Sequence, residues 1–262
     1  MPTFDVVMEP RKITNGKIKE LKSLNIKKNR DELSLFLVEG IKAVVDTMKG
    51  FHLVELVCSP EWFEKNLKLI KDFEDKVTLD PGKKGISRIS DFSSSPDVIG
   101  VFKLPQRLKE IPVLEPDKFY VLLDGVQDPG NLGTIIRTCD WFGIYDIFAS
   151  YHTVDVFNPK VVRSTMGSIC RVKVHYTDLL QLVKKNCNIP LVGTVLDGNP
   201  IQDCIISSPA FLLMGNEGKG ISESLRNRID IPVTIPPANV ISHPDSLNVA
   251  VAAAIIMAHI KL

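Results

Sequence analysis

The chain of 262 residues is short of the residues that define several protein classes. Its 5 cysteines, Cys58, Cys139, Cys170, Cys187 and Cys204, are odd in number and lie far apart, which excludes a disulfide framework and a zinc knuckle. The 5 histidines are scattered as well, so no metal site is expected. Apolar runs are short: the longest, Val249 to Ala258, falls well below the roughly 20 residues that a membrane span needs. Asp5, Glu9 and Arg11 interrupt the first residues, which therefore lack the charged-then-apolar order of a secretion signal; a cytoplasmic protein without membrane contact is expected. What is present, 24% charged and 44% hydrophobic residues, is the make-up of a globular protein of one or two domains and excludes collagen, coiled coil and wholesale disorder.

The net charge of +1 conceals an asymmetry. Residues 1–110 hold 20 cations against 17 carboxylates, and the remainder 12 against 14. The surplus is densest at the start, where Arg11, Lys12, Lys17, Lys19, Lys22, Lys27, Lys28 and Arg30 face only Asp5, Glu9 and Glu20. Such a cluster suits a phosphate backbone, because each cation that neutralises a phosphate releases a counterion. A solvated helix face is the competing reading.

Pro105, Pro112 and Pro116 mark an extended connector, which divides the chain into residues 1–104, a linker over 105–117, and residues 118–262. In the first part, a helix around Ile18, Leu21, Leu24 and Ile26, strands at Leu35–Val38, Leu53–Cys58 and Val98–Phe102, and helices at Ile41–Met48 and Pro60–Phe73 predict a small α/β unit. The second part alternates strand and helix: Phe119–Leu123, Ile147–Ala149, Val172–Val174, Leu191–Val195, Phe211–Met214 and Ile231–Ile235 are strand candidates. That alternation predicts a mostly parallel sheet covered on both faces, with ligands gathered at the carboxyl ends of its strands. The chain closes on an Ala-rich apolar helix, Leu247–His259, which requires burial.

Three segments could carry chemistry. The first runs from Asp124 through Asn131 to Arg137 directly after a strand; Pro129 and Gly130 suit a tight turn and Asn131 an N-cap. On the helix that follows, Leu132, Ile135, Ile136 and Cys139 share the buried side, while Thr134, Arg137 and Thr138 fall elsewhere. Arg137 is then available to a phosphate, or to a surface ion pair. The second segment, Gly215 to Ser222, has three glycines that allow close backbone approach, but it is neither a Walker loop nor Gly-x-Gly-x-x-Gly. Glu217 within it would repel a phosphate. The third joins Ile235-Pro-Pro to Ser246-Leu-Asn-Val249. Asp245 or Ser246 could cap the last helix, and Asn248, placed inside that helix, would need partners for its amide.

In this order and spacing the three segments resemble the three motifs of the SpoU branch of the SPOUT methyltransferases, the TrmH-like ribose 2'-O-methyltransferases of RNA. The amino-terminal part resembles that family's substrate-binding domain through Ile18-Lys-Glu-Leu-Lys and Phe36-Leu-Val-Glu-Gly40. The resemblance implies an α/β fold, a SPOUT-type mostly parallel sheet with a C-terminal trefoil knot, preceded by a small α/β RNA-binding domain. It implies catalytic roles for Asn131 and Arg137 in the first motif, Glu217 in the second, and Ser246 with Asn248 in the third. S-adenosylmethionine would be held by Thr194, Leu196, Gly215, Asn216, Ile235 and Leu247. RNA, ribosomal rather than transfer RNA, would meet Arg11, Lys12, Lys17, Lys27, Lys28 and Arg30, and a homodimer would form through the final helix. The chain departs from the pattern at Pro237, where the family has Met, at Ala250, where Ser is common, and in a longer connection over 239–245. A transfer-RNA methyltransferase and a non-catalytic RNA-binding protein on the same scaffold are the alternatives; a nucleotide-dependent oxidoreductase ranks last because its glycine fingerprint is missing.

Overall fold

The computed structural model describes residues 11–91, 95–105, 111–238 and 244–261; the expectations for residues 1–10, for 106–110 of the connector and for 239–243 of the long third loop lie outside these. In chain order the first elements are β1 (Arg11–Lys12), α1 (Asn15–Ser23), α2 (Lys27–Leu33), β2 (Leu35–Glu39), α3 (Ile41–Thr47), β3 (Leu53–Cys58), α4 (Pro60–Lys65), α5 (Leu67–Ile70), β4 (Val77–Leu79), α6 (Lys84–Ile89) and β5 (Val98–Lys103). They are followed by β6 (Phe119–Leu123), α7 (Pro129–Trp141), β7 (Asp146–Ala149), α8 (Pro159–Ser164), β8 (Lys173–Tyr176), α9 (Leu179–Lys185), β9 (Leu191–Pro200), β10 (Ala210–Met214), α10 (Glu223–Arg226), β11 (Ile231–Thr234) and α11 (Val249–Lys261). Two compact units result: Met1–Arg107 with Phe157–Arg163, and Leu108–Val156 with Ser164–Leu262.

The first unit is a mixed sheet of order β1-β4-β3-β5-β2. Ile18, Leu21 and Leu24 of the first helical segment pack on Leu37, Val57, Ile86, Ile89 and Ile99. Thr14 opens α1 by accepting the Lys17 N–H at 3.2 Å, as a side-chain N-cap does. Ile26, grouped with that apolar face from sequence, is 60% exposed, because the helix has ended before it. The single helix predicted over Pro60–Phe73 is broken at Asn66, whose amide donates to the Trp62 carbonyl at 2.8 Å and competes with the helical ladder. The return of 157–163 to this unit has no counterpart in the sequence reading. Phe157 explains it, standing 4.8 Å from Phe36 between ring centroids within an aromatic cluster that includes Phe51 and Phe102.

The second unit holds a six-stranded sheet of order β11-β9-β10-β6-β7-β8 in which every neighbouring pair is parallel. The central strands β6 and β10 are buried at every residue, as expected of strands covered on both faces. The chain leaves β6 toward β7 and β8, then returns to the other side through β9 and β10, so a topological switch point lies between β6 and β10. Ligand crevices of open α/β sheets form at such points, beyond the carboxyl ends. β9 is longer than its apolar core of Leu191–Val195 suggested: Asn199 and Pro200 pair with Val233 and Thr234 beyond a register shift. Helix α11 lies against α7, with Cys139 and Met257 in sulfur contact at 3.9 Å.

Candidate active site

The three chemistry-bearing segments converge at this switch point. β6 ends in Asp124-Gly125, β10 in Gly215-Asn216, and the two loops are tied directly: the Asp124 N–H donates to the Met214 carbonyl at 2.9 Å, and the Ser222 N–H to the Asp124 carboxylate at 2.8 Å. Asn216 donates its amide to the Gly125 carbonyl at 2.6 Å and accepts from the Gly218 and Lys219 N–H groups at 3.0 and 2.9 Å. Gly125 carries φ +76°, a backbone that an L side chain rarely adopts. At Gly215 an added Cβ would lie 2.4 Å from the Gly220 carbonyl carbon, so only glycine lets the loop fold back on itself.

Glu217 sits where these loops meet. Its carboxylate accepts from the Gln127 N–H at 3.2 Å, the Asp128 N–H at 3.1 Å and the Asn131 amide at 3.0 Å. A carboxylate in a glycine loop is thus explained by donors rather than by a phosphate. Burial raises the Glu217 pKa, but the Asn131 amide and the backbone donors outweigh it and hold the carboxyl below its ordinary value. The chain of contacts continues, since Asn131 accepts from the Asn248 amide at 2.8 Å. Asn131, Glu217 and Asn248, far apart in sequence, are therefore linked in one hydrogen-bonded row.

Two local readings are corrected. The N-cap of α7 is Asp128, whose carboxylate accepts the Asn131 N–H at 2.8 Å, because Pro129 takes the first helical position; the Asn131 side chain is left for Glu217 and Asn248. Asn248 is exposed and stands before α11 rather than within it, its oxygen accepting the Ala250 and Val251 N–H groups at 2.9 and 3.3 Å. The cap expected from Asp245 or Ser246 is thus supplied by Asn248, and Ser246 is exposed with no hydrogen bond among the described residues. Arg137 lies two turns into α7, exposed, its side chain making no hydrogen bond or ion pair among the described residues.

The residues expected to hold a cofactor occupy the same end of the sheet. Thr194 and Leu196 lie in β9, Gly215 and Asn216 follow β10, Ile235 follows β11 and Leu247 precedes α11. Leu196 is 75% and Leu247 49% exposed, apolar surface beside open backbone that suits a flat heteroaromatic ring. The side chains of Thr194 and Asn216 are spent inside the protein, Thr194 donating to the Leu213 carbonyl at 2.8 Å, which leaves their backbone for any ligand.

The basic cluster of the first unit separates into three kinds of cation. Arg30 is a correction: it is buried, and its guanidinium donates to the Leu24 and Asn25 carbonyls at 2.8 and 3.0 Å, closing the end of α1. Lys17 is paired with Glu20 and Glu55 at 3.0 and 2.8 Å, and Lys27 with Asp31 at 2.5 Å. Arg11, Lys12 and Lys28 are exposed without a described ion pair. So are Lys19 and Lys22, absent from the expected contact set, which border a hollow of about 400 Å³ beside Asn25 and Ile26. On α1 Lys19 falls opposite the Ile18–Leu21–Leu24 face and Lys22 on its flank, which was the signal available in the sequence. No described group of His, Cys, Asp and Glu could hold a metal, and no described helix is long and apolar enough to cross a membrane.

Fold and site together define an α/β protein whose second unit is a parallel sheet, with an Asn–Glu–Asn row joining the loops at the carboxyl ends of its central strands. Comparison with known proteins narrows this class. The model of the SpoU rRNA Methylase family matches residues 118–258, and that of an MRM3-like substrate binding domain matches residues 15–99. The chain belongs to the SpoU rRNA methylase family. It is 31% identical over 251 residues to the 23S rRNA (guanosine(2553)-2'-O)-methyltransferase RlmP of Bacillus subtilis (strain 168), with 94% of this chain and 96% of the relative covered. An AdoMet-bound rRNA methyltransferase from Sinorhizobium meliloti superposes with a TM-score of 0.80 at 32% identity, covering 96% of each chain. The SpoU methyltransferase AviRb from Streptomyces viridochromogenes, in complex with the cofactor AdoMet, gives 0.79 at 27% identity, covering 95% of this chain and 97% of that one.

Proposed function

We propose that the chain is an enzyme that methylates a ribose 2'-hydroxyl of RNA with S-adenosylmethionine, and that the RNA is ribosomal. The observation that carries this reading is the Asn248–Asn131–Glu217 row, which joins all three motifs at the carboxyl ends of parallel strands. The 23S rRNA specificity of the Bacillus subtilis relative and the AdoMet bound by both structural neighbours support the substrate and the cofactor.

Backbone around Leu196, Gly215 and Ile235, with Leu247 as apolar cover, would hold the cofactor. When bound, S-adenosylmethionine supplies a methyl group on a sulfonium, from which a neutral thioether leaves. The attacking hydroxyl is a poor nucleophile at neutral pH and must be positioned. Arg137 does this by clamping the phosphate beside the target ribose with its planar fork and by stabilising charge that develops on the oxygen. A guanidinium hardly loses its proton in proteins, so Arg137 is not assigned as the base. Glu217 fixes the loop that enters α7 through Gln127 and Asp128, and Asn131 and Asn248 hold the start of α11 against it. Ser246, exposed beside that row, faces the nucleotide.

The remaining assignments belong to the same reading. Residues 1–104 bind RNA, Arg11, Lys12 and Lys28 being the open cations with Lys19 and Lys22 beside them, and 118–262 form the methyltransferase domain. The C-terminal segment threads a loop as a trefoil knot, for which membership of the SpoU rRNA methylase family is the support. Val251 and Ile255, 49% and 38% exposed on an otherwise apolar α11, are the motive for a homodimer through the C-terminal domain. The protein works with its RNA in the cytoplasm. Calorimetric titration with S-adenosylmethionine tests the enzymatic reading: saturable heat at micromolar to millimolar cofactor is expected, and none at millimolar cofactor would turn the reading to a non-catalytic RNA-binding protein.

A further inference from the structure

On α7 the residue one turn beyond Arg137 is Asp140. Side chains three apart on a helix are neighbours, about 5–6 Å between Cβ atoms, and an exposed arginine with a carboxylate at that spacing pairs readily. Such a pair would occupy the guanidinium needed by a phosphate. It does not form. The Asp140 carboxylate accepts instead from Arg171 Nε at 2.9 Å on both oxygens, from Arg171 Nη2 at 2.5 Å and from Ser168 Oγ at 2.7 Å. Only 14% of the Asp140 side chain is exposed, whereas Arg137 faces solvent.

Ser168 and Arg171 are held opposite α7 by a 3-10 turn, Ser168–Cys170, with the Arg171 and Val172 N–H groups both donating to the Ser168 carbonyl at 3.0 Å. The chain enters this turn through left-handed backbone at Met166 (φ 51°) and Gly167 (φ 90°). A non-glycine residue in that region marks a conformation fixed by its surroundings. The Asp140 carboxyl is held below its ordinary pKa chiefly by Arg171, so it is charged and would compete for any other cation in reach.

We propose that Arg171, aided by Ser168, is a positioning residue that sequesters Asp140 and thereby keeps Arg137 open to the RNA phosphate. The proposal rests on the reading of Arg137 as a phosphate clamp. It predicts a defect that a second substitution, at Asp140, reverses.

The test is steady-state methyl transfer to ribosomal RNA by the full chain and by Arg171→Met, Arg171→Met with Asp140→Asn, and Arg137→Met. Arg171→Met raises KM for RNA about fivefold, the worth of one partly buried helical pair of about 1 kcal/mol, with cofactor affinity unchanged. Adding Asp140→Asn brings KM back to within about twofold of the parent, because an amide does not hold the guanidinium. If Arg171 merely anchors the turn, the double variant stays as impaired as the single one, and that result overturns the proposal, as does an unchanged KM in Arg171→Met. Activity retained in Arg137→Met sinks the clamp itself, which separates the two failures. Should Arg171→Met not fold, Ser168→Ala with and without Asp140→Asn gives the same comparison, with a smaller rise in KM that the second substitution must reverse.

Discussion

The loop cluster of the second unit and the basic stretch of the first unit both stand out in the sequence, and they fold to opposite outcomes. In the cluster, side chains 86 and 117 positions apart join in one hydrogen-bonded row. In the basic stretch, neighbours along the chain part company: Arg30 is buried, Lys17 and Lys27 are paired, and Arg11, Lys12 and Lys28 stay open. An ordered set of motifs specifies geometry because each residue needs a particular partner. A charge count does not, because a cation is satisfied equally by a phosphate, a carboxylate or a helix end.

The comparison is broken most forcefully at Arg137, the cation that the cluster leaves unpaired. Arg137→Lys keeps the charge and loses the fork, and turnover should fall about 100-fold, roughly 3 kcal/mol, with cofactor binding by calorimetry nearly unchanged. Full activity in this variant would refute the clamp. A second break concerns Arg30, which the charge count groups with RNA-binding residues. Arg30→Met removes two charge-assisted bonds, one buried and one partly buried, and should destabilise the first unit by about 2 kcal/mol, read by denaturant unfolding. Weaker RNA binding at unchanged stability would return Arg30 to the RNA-binding set.

Glu217 sharpens the comparison through pH. Its folded pKa is depressed, so its contribution is complete above the unfolded carboxyl value of about 4.3 and is lost as pH falls through the lower folded value. Glu217→Gln should therefore flatten part of the acid limb of the stability curve while costing under about 1 kcal/mol at neutral pH, since the group is partly solvated. An acid limb identical to the parent's would show that the three donors do not perturb it. The smallest effect is expected from Arg11→Gln with Lys12→Gln: RNA affinity falls modestly, the salt slope by about two, and the melting temperature stays put. A slope equal to the parent's would remove β1 from the RNA surface.

Much of this architecture is legible in the chain. The six strands of the second unit follow from apolar runs separated by helical patterns, and β6 and β10 are nearly as written because burial on both faces leaves no alternation to misread. What was not legible depended on partners distant in sequence. The outer half of β9 is polar, Asp197-Gly-Asn199, and becomes a strand only through pairing with β11. Phe157 joins the first unit through two aromatic rings, Phe36 and Phe51, that no local pattern connects to it. At the site, the residues of the row are readable from motif order, but Asn248 stands before the helix that it caps, and two of the three donors that justify Glu217 are backbone groups that sequence cannot display.

The most direct test is to incubate the chain with labelled S-adenosylmethionine and unmodified ribosomal RNA, digest the product to nucleosides and locate the label by mass spectrometry. Methyl on a ribose 2'-oxygen at a defined nucleotide, appearing about 100-fold more slowly with Arg137→Lys, is the predicted result. Methyl on a base, or none on RNA despite measured cofactor binding, would contradict the account.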